Sequence, residues 1–200
     1  MIKDLDDTLK VLLTTKAPPN SMLANAVINF DLPDSDWRTH VSALTLNLYL
    51  YDIRQNPGMR TSEQLVVRSD DATRVMRIAP PARIDCAYCI TAWSIAGAGA
   101  AVFEEHRLLS QALRVLLQNT TIPPELLQGG LSPQFAPYLG IVGAQDGGKN
   151  MPDFWNALDQ KLKPSLNYIV TMSMLTEDIP TDQEIPFGLA GAKIETKPLL

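Results

Sequence analysis

The stretch Arg83-Ile-Asp-Cys-Ala-Tyr-Cys-Ile-Thr-Ala-Trp93 has the most regular strand pattern of the chain. Successive side chains of a strand point to opposite faces of the sheet, so every second residue shares a face. Both faces of this segment are largely apolar, which is typical of a strand covered on both sides. The pattern therefore predicts a central strand, with Ile84, Cys86, Tyr88, Ile90 and Ala92 on one face and Asp85, Cys89, Thr91 and Trp93 on the other.

A helix is predicted after this strand, beyond a turn that contains Gly97 and Gly99. It includes Glu105-His-Arg-Leu-Leu-Ser-Gln-Ala-Leu-Arg-Val-Leu-Leu117, in which apolar residues recur every three or four positions, as on one face of an amphipathic helix. We expect the helix to cover the sheet. Its sheet-facing residues are predicted to be Val102, His106, Leu109, Leu113 and Leu116, with Glu104, Arg107 and Gln111 outside.

The remaining elements are shorter and follow from the same two periodicities. An opening helix contains Ile2, Leu5, Leu9, Leu12 and Leu13 and ends at Ala17-Pro-Pro19. Residues 32–37 have the composition of an ordered loop, and residues 152–158 that of a short helix. Further strands are predicted at residues 26–30, 45–51, 138–142 and 166–175, and a hairpin at 64–68 and 74–78.

Length, composition and charge limit the class of protein. The 200 residues are 46% hydrophobic and 20% charged, which suits one folded domain. A net charge of −5 argues against a nucleic-acid partner, because phosphate binding needs clustered Lys and Arg. The first turn carries three aspartates, and no apolar run reaches about 18 residues, so we expect no membrane partner and assembly in the cytoplasm.

Cys86 and Cys89 form a C-x-x-C motif, which could indicate a redox or metal site. Within a strand, however, an offset of three residues places the two side chains on opposite faces. We therefore expect two separate thiols, with no disulfide and no bound metal.

The segment Gly143-Ala-Gln-Asp-Gly-Gly-Lys-Asn150 satisfies the G-x-x-x-x-G-K part of a nucleotide-binding loop. It then carries Asn150 in place of the Ser or Thr whose hydroxyl binds Mg²⁺. A Gly-rich turn is the favoured interpretation. A small nucleotide-binding enzyme that uses Lys149 is the alternative.

No other residues form a recognisable catalytic motif. His40 and His106 lack a zinc-binding spacing, and His106 is expected to be a core residue, with a pH switch as the alternative. The serines at 110, 132 and 165 lack a G-x-S-x-G elbow, and the aspartates at 34, 36, 70 and 71 are expected to cap local backbone N–H groups. The sequence therefore predicts neither enzyme activity nor a cofactor.

Two apolar features are not explained by an isolated sheet. Tyr49, Tyr51 and Trp93 share the more polar face of their strands, where either a helix of the same chain or a neighbouring subunit would cover them. Beyond Glu177 the periodicity is lost, which predicts an extended arm at residues 177–200 after a domain at residues 1–176. This arm contains Phe187 and is expected to make few hydrogen bonds of its own; it is either a flexible tail or docks on a neighbour.

Five segments in a shared order resemble the cap, or tube terminator, family of extracellular contractile injection systems, which are phage-tail-like particles. The resemblance runs from residue 1 to about 176 and implies an α+β fold with a mixed, mainly antiparallel sheet and helices packed on it. The segments are Met1-Ile-Lys-Asp-Leu-Asp-Asp-Thr-Leu-Lys10, Leu46-Asn-Leu-Tyr-Leu-Tyr-Asp-Ile-Arg54, the strand and helix quoted above, and Phe154-Trp-Asn-Ala-Leu158 leading to Lys163-Pro-Ser-Leu-Asn-Tyr-Ile-Val-Thr171.

The resemblance also implies a function. Members of this family form a six-fold ring on the distal end of the inner tube, stop its growth and provide the last attachment of the contractile sheath. The implied partners are further copies of the chain, the inner tube protein and the sheath protein. A tail-completion or adaptor protein elsewhere in such a particle, or a carried effector, is the alternative. The candidate assembly residues are Arg54 and Arg60, the hairpin arginines Arg68, Arg74 and Arg77, and Phe187.

Overall fold

The computed structural model describes residues 1–62, 65–68, 74–97, 99–131, 135, 137–143, 151–176 and 185–186. Its helices are α1 (Ile2–Thr15), α2 (Met22–Asn25), α3 (Ser35–Thr39), α4 (Ala100–Gln118) and α5 (Met151–Ala157). Its strands are β1 (Val27–Asn29), β2 (Thr45–Gln55), β3 (Leu65–Arg68), β4 (Arg74–Ile78), β5 (Ala82–Trp93), β6 (Leu139–Val142), β7 (Ser165–Met174) and β8 (Ile185–Pro186).

The main sheet has five strands in the order β1-β2-β5-β7-β6. The strand β5 lies in the middle and pairs antiparallel with β2, where Leu48 opposes Ile90, and with β7, where Tyr88 opposes Tyr168. The short edge strand β1 runs parallel to β2. A second sheet has the order β3-β4-β8. The predicted central strand and the predicted α+β fold with a mixed, mainly antiparallel sheet are confirmed.

Helices α1, α2 and α4 cover the first face of the main sheet. The side chains of Leu9 and Leu12 from α1 and of Leu108 and Leu116 from α4 are fully buried against strand residues such as Ile90. Each such side chain contributes about 1.5–3 kcal/mol when it leaves water. Polar contacts fix the register of α1, since the Tyr88 hydroxyl donates a hydrogen bond to Asp6 Oδ1 (2.7 Å).

The prediction of which α4 residues face the sheet is wrong in part. Val102 is 49% exposed and His106 is exposed, whereas Leu108, Leu109, Ala112, Val115 and Leu116 are buried. Leu109 and Leu116 belong both to the predicted set and to the buried set. Periodicity alone therefore does not determine how the helix is rotated about its own axis. The small Ala112 allows close approach to the sheet, and this favours the observed rotation. His106 is therefore not a core histidine.

Helices α3 and α5 cover the second face. There Trp93, Tyr49 and Tyr51 pack with Phe154 and Trp155, so a helix of the same chain covers these aromatic residues. The predicted loop at residues 32–37 is corrected, because α3 begins within it. The side chain of Asp34 caps this helix by accepting a hydrogen bond from the Trp37 N–H (2.7 Å), as expected of a capping aspartate.

The other predicted elements are present with small shifts of their ends. The hairpin is formed by β3 and β4, with Val66 opposite Arg77. A three-residue 3-10 turn spans Pro124–Leu126. The division into a domain at 1–176 and an arm at 177–200 stays a prediction, and of the arm only Ile185–Pro186 is described.

Candidate functional site

The candidate arginines lie at, or beyond, one end of the main sheet. Strand β2 ends at Gln55, which pairs with Ile84 near the start of β5. The intervening residues 56–81 contain Arg60 and the hairpin, so they are inserted at this end of the β2–β5 pair. The opposite end of the pair is marked by Thr45 and Trp93.

Arg54 and Arg60 differ in their surroundings. The Arg54 guanidinium forms an ion pair with Asp52, with Nε donating to Oδ2 at 2.8 Å, so part of its charge is neutralised. Arg60 is exposed and follows the 3-10 turn Pro57–Met59. Asn56 anchors this turn, because its N–H donates to the Arg83 carbonyl (2.8 Å) and its Oδ1 accepts from the Met59 N–H (3.1 Å).

The three hairpin arginines lie on β3 and β4. Arg68 opposes Val75, and Arg74 opposes Pro186 of β8. The segment Ile185–Pro186 therefore pairs with the free edge of β4, although the arm was expected to make few hydrogen bonds. Phe187 lies outside the described residues.

A cluster around Trp93 occupies the opposite end and was missed in the sequence. Lys163 Nζ lies 4.1 Å from the centroid of the Trp93 ring, and Arg38 Cζ lies 5.4 Å from it. Such positions favour cation–π attraction. Lys163 Nζ also forms an ion pair with Glu105 Oε1 of α4 at 2.6 Å. Burial lowers the pKa of Lys163, and the Glu105 carboxylate, which raises this pKa, offsets only part of that effect. Because residues 105 and 163 are far apart in the chain, no local pattern signals this cluster.

The outer face of α4 was also missed. Phe103 is 77% exposed and Leu117 is 55% exposed, and the exposed residues between them include Arg107, Ser110 and Arg114. At the start of the helix, a groove of about 470 Å³ is lined by Met22, Ala100, Phe103, Glu104 and Arg107. An aromatic residue this exposed beside a groove is typical of a protein contact surface.

The two cysteines lie on opposite faces of β5, as predicted. Cys86 belongs to the core under α1 and α4, and Cys89 to the core under α5, and both are free thiols. Burial raises the pKa of each thiol to about 11. Neither thiol is therefore an activated nucleophile.

The other candidate chemical groups have local structural roles where they are described. Ser110 Oγ donates to the His106 carbonyl (2.7 Å), and His40 Nδ1 lies 3.0 Å from the Asp36 carbonyl oxygen. Ser165 is half-buried at the start of β7 and opposes Thr91 of β5. The loop residues 144–150, including Lys149 and Asn150, lie outside the described residues, as do Ser132, Asp70 and Asp71.

Neither a metal centre nor a membrane span is found in the part of the chain that the structure describes. Over those residues, no group of three or more His, Cys, Asp or Glu side chains could hold a metal ion. No described helix combines the length and the apolar composition that crossing a membrane requires.

Comparison with known proteins gives one family and two similar folds. A family model described as the Pvc16 N-terminal domain matches residues 4–187. A solved sheath/tube terminator of PVC, an extracellular contractile injection system, in its extended state, is 23% identical with a TM-score of 0.63. The tube-terminating cap of the anti-feeding prophage is 22% identical with a TM-score of 0.57. No curated protein matches the sequence.

The chain is shorter than these two structures. The alignments cover 100% and 89% of this chain but 65% and 56% of the two terminator chains, respectively. The likeness shows that the fold is shared.

Proposed function

The chain belongs to the Pvc16 N-terminal domain family, and from this premise we propose that it is a structural cap that ends the inner tube of a contractile injection system. One observation carries the proposal: the family match spans residues 4–187, and two proteins that share the fold are described as tube terminators.

The cap would act as a ring of identical subunits, six in number, on the distal end of the tube. Its partners would be the inner tube protein and the sheath protein, and assembly would take place in the cytoplasm. A terminator needs one side that continues the tube contact and another side that offers no continuation. It needs no cofactor and no catalytic activity.

The two ends of the main sheet suit these different sides. One end carries the insertion with Arg60 and the hairpin, whereas the other carries the Trp93 cluster. We assign the tube contact to the first end. The residues assigned to it are Arg54, Arg60, Arg68, Arg74, Arg77 and Phe187.

Weak contacts suffice for such a ring. If each subunit gains about 2 kcal/mol of binding free energy against the tube, the contacts of six joined subunits sum to an affinity near the nanomolar range. This sum does not include the entropic cost of association. Single changes in the tube contact should therefore have effects that multiply around the ring.

The length distribution of injection particles in electron micrographs tests the function. Cells that lack the gene should contain overlong, uncapped or sheathless tubes, and the intact gene should restore a uniform length. Unchanged particles in its absence would contradict the cap and would favour a carried effector or a small nucleotide-binding enzyme.

A charge reversal tests the assigned side. Arg60→Glu should fail to restore the length, because Arg60 is exposed at the proposed tube contact. Lys10→Glu, which reverses an exposed charge on α1, is the matched control and should restore it. Equal restoration by both variants would remove Arg60 from the tube contact.

A further inference from the structure

The outer face of α4 is basic because the acidic residues of this helix are engaged elsewhere. Glu104 Oε2 accepts a hydrogen bond from Ser94 Oγ (2.5 Å), and Glu105 pairs with Lys163 and accepts from the Ser94 N–H (3.1 Å). Among the described residues, Arg107 and Arg114 have no ion-pair partner. We call the exposed set Phe103, Arg107, Ser110, Arg114 and Leu117 the α4 surface.

An acidic surface lies around α3 and the end of α5. Residues 31–39 and 153–161 contain five aspartates but only two basic residues, Arg38 and Lys161. The two segments meet where Ser35 Oγ donates to Asp159 Oδ2 (3.2 Å). We call the exposed set Asp31, Leu32, Asp36, Asp153 and Asp159 the acidic surface.

These two surfaces lie on opposite faces of the main sheet. Helix α4 packs on the face that contains Cys86, whereas Trp37 of α3 and Trp155 of α5 pack on the face that contains Cys89. One molecule therefore cannot bring its own two surfaces together, but two copies can. A row of copies joined in this way has one free α4 surface at one end and one free acidic surface at the other. The row closes into a head-to-tail ring when these two surfaces meet.

The surfaces also match in polarity. Leu32 is 43% exposed and is preceded by Asp31, so it is an apolar side chain beside a carboxylate. The groove beside the α4 surface is apolar at Met22, Ala100 and Phe103 and is bordered by Arg107. Its one carboxylate, Glu104, accepts the hydrogen bond from Ser94. Opposite charges around an apolar contact favour one register over others.

We infer that the α4 surface of one copy binds the acidic surface of the next copy, and that this is the contact between neighbouring subunits of the ring. The inference rests on the proposed cap function, to which it adds the identity of the contact. The partner is a second copy of this chain.

Charge reversal tests the contact. Arg107→Glu with Arg114→Glu should lose the ring in native mass spectrometry, with association at least ~10-fold weaker, because like charges then face each other. Asp36→Lys with Asp159→Asn should also weaken the association, because it leaves two of the four carboxylates of the acidic surface and adds one positive charge. Asn is used at position 159 because φ is +52° there and asparagine tolerates this conformation.

Lys10→Glu with Lys16→Glu, which reverses one exposed charge on α1 and one at its C-cap, is the matched control and should leave the ring intact. A melting temperature for each variant separates a lost contact from a misfolded chain. A ring that persists in both reversed pairs would overturn the inference.

Cross-linking in purified particles tests the same contact even if the ring forms only on the tube. Both native cysteines are buried, so Ser110→Cys and Asp36→Cys would introduce the only accessible thiols among the described residues. A short bis-maleimide should link copies only when both substitutions are present. Linking through Ser110→Cys alone, or no linking of the double variant, would overturn the head-to-tail contact.

The two proposals can fail separately. A pair-dependent cross-link together with unchanged tube lengths in the gene deletion would retain the contact and reject the cap. A shift to overlong tubes in the deletion without the cross-link would retain the cap and reject this contact.

Discussion

Replacing Gly140 by alanine should destabilise the fold, because a side chain of the neighbouring strand occupies the space that the new Cβ would need. A Cβ built on Gly140 lies 2.1 Å from Tyr168 Oη and 2.7 Å from Tyr168 Cζ. Tyr168 is fully buried, so its ring cannot turn into solvent. The glycine is required by this close approach in strand β6.

Overpacking of this kind costs about 1–3 kcal/mol in a well-packed core. For a chain of this length, about 1 kcal/mol shifts the melting temperature by ~2–4 °C, so Gly140→Ala should melt ~2–12 °C below the unmodified protein. Tyr168→Phe alone should cost little, because the buried hydroxyl has no hydrogen-bond partner among the described residues. Adding Tyr168→Phe to Gly140→Ala should recover part of the loss, since it removes the nearest atom and leaves Cζ, at 2.7 Å, as the nearest remaining one.

The assay is reversible urea unfolding combined with a thermal melt of the four proteins in this cycle. Gly97→Ala is the matched control, because no atom lies within 4 Å of the Cβ it would introduce. If Gly140→Ala were as stable as Gly97→Ala, or if the double variant were no more stable than Gly140→Ala, the argument from close approach would be refuted.

Two further predictions concern buried polar groups. The thiols of Cys86 and Cys89, with pKa values raised by burial from 9.0 to about 11, should not react with a thiol reagent at pH 8 until the chain unfolds. Because the unfolded thiols lose their protons first, the free energy of unfolding should fall between pH 9 and 11, and a Cys86→Ala/Cys89→Ala variant should show a shallower fall in a pH series. Lys163→Met should cost ~2 kcal/mol in urea unfolding, because it leaves the Glu105 carboxylate, which is 16% exposed, without its cation. Adding Glu105→Gln should recover most of this loss, and a double variant as unstable as Lys163→Met would contradict the ion-pair explanation.

The candidate site was only partly accessible from the sequence. The sequence located the arginines at 54, 60, 68, 74 and 77, but it did not show that residues 56–81 leave the main sheet at one end. It placed Arg107 on the outside of its helix, yet it missed the exposed Phe103 and the groove beside it. A contact surface depends on which residues remain uncovered after packing, and this is not a local property of the chain.

Local patterns determined most of the elements. The alternation in residues 83–93 determined the central strand and the separation of Cys86 from Cys89, because a strand repeats every two residues whatever surrounds it. Likewise, the helical spacing of leucines determined α1 and the existence of α4.

The tertiary structure alone decided the rotation of α4, the cation cluster on Trp93 and the need for Gly140. The stripe through Ala112 faces the sheet because it allows close packing, a choice that the spacing of leucines leaves open. Lys163 meets Glu105, and Gly140 meets Tyr168, across distances in the chain that no periodicity spans. The physical reason is that side-chain packing joins residues from different elements, whereas a sequence pattern records only the environment along one element.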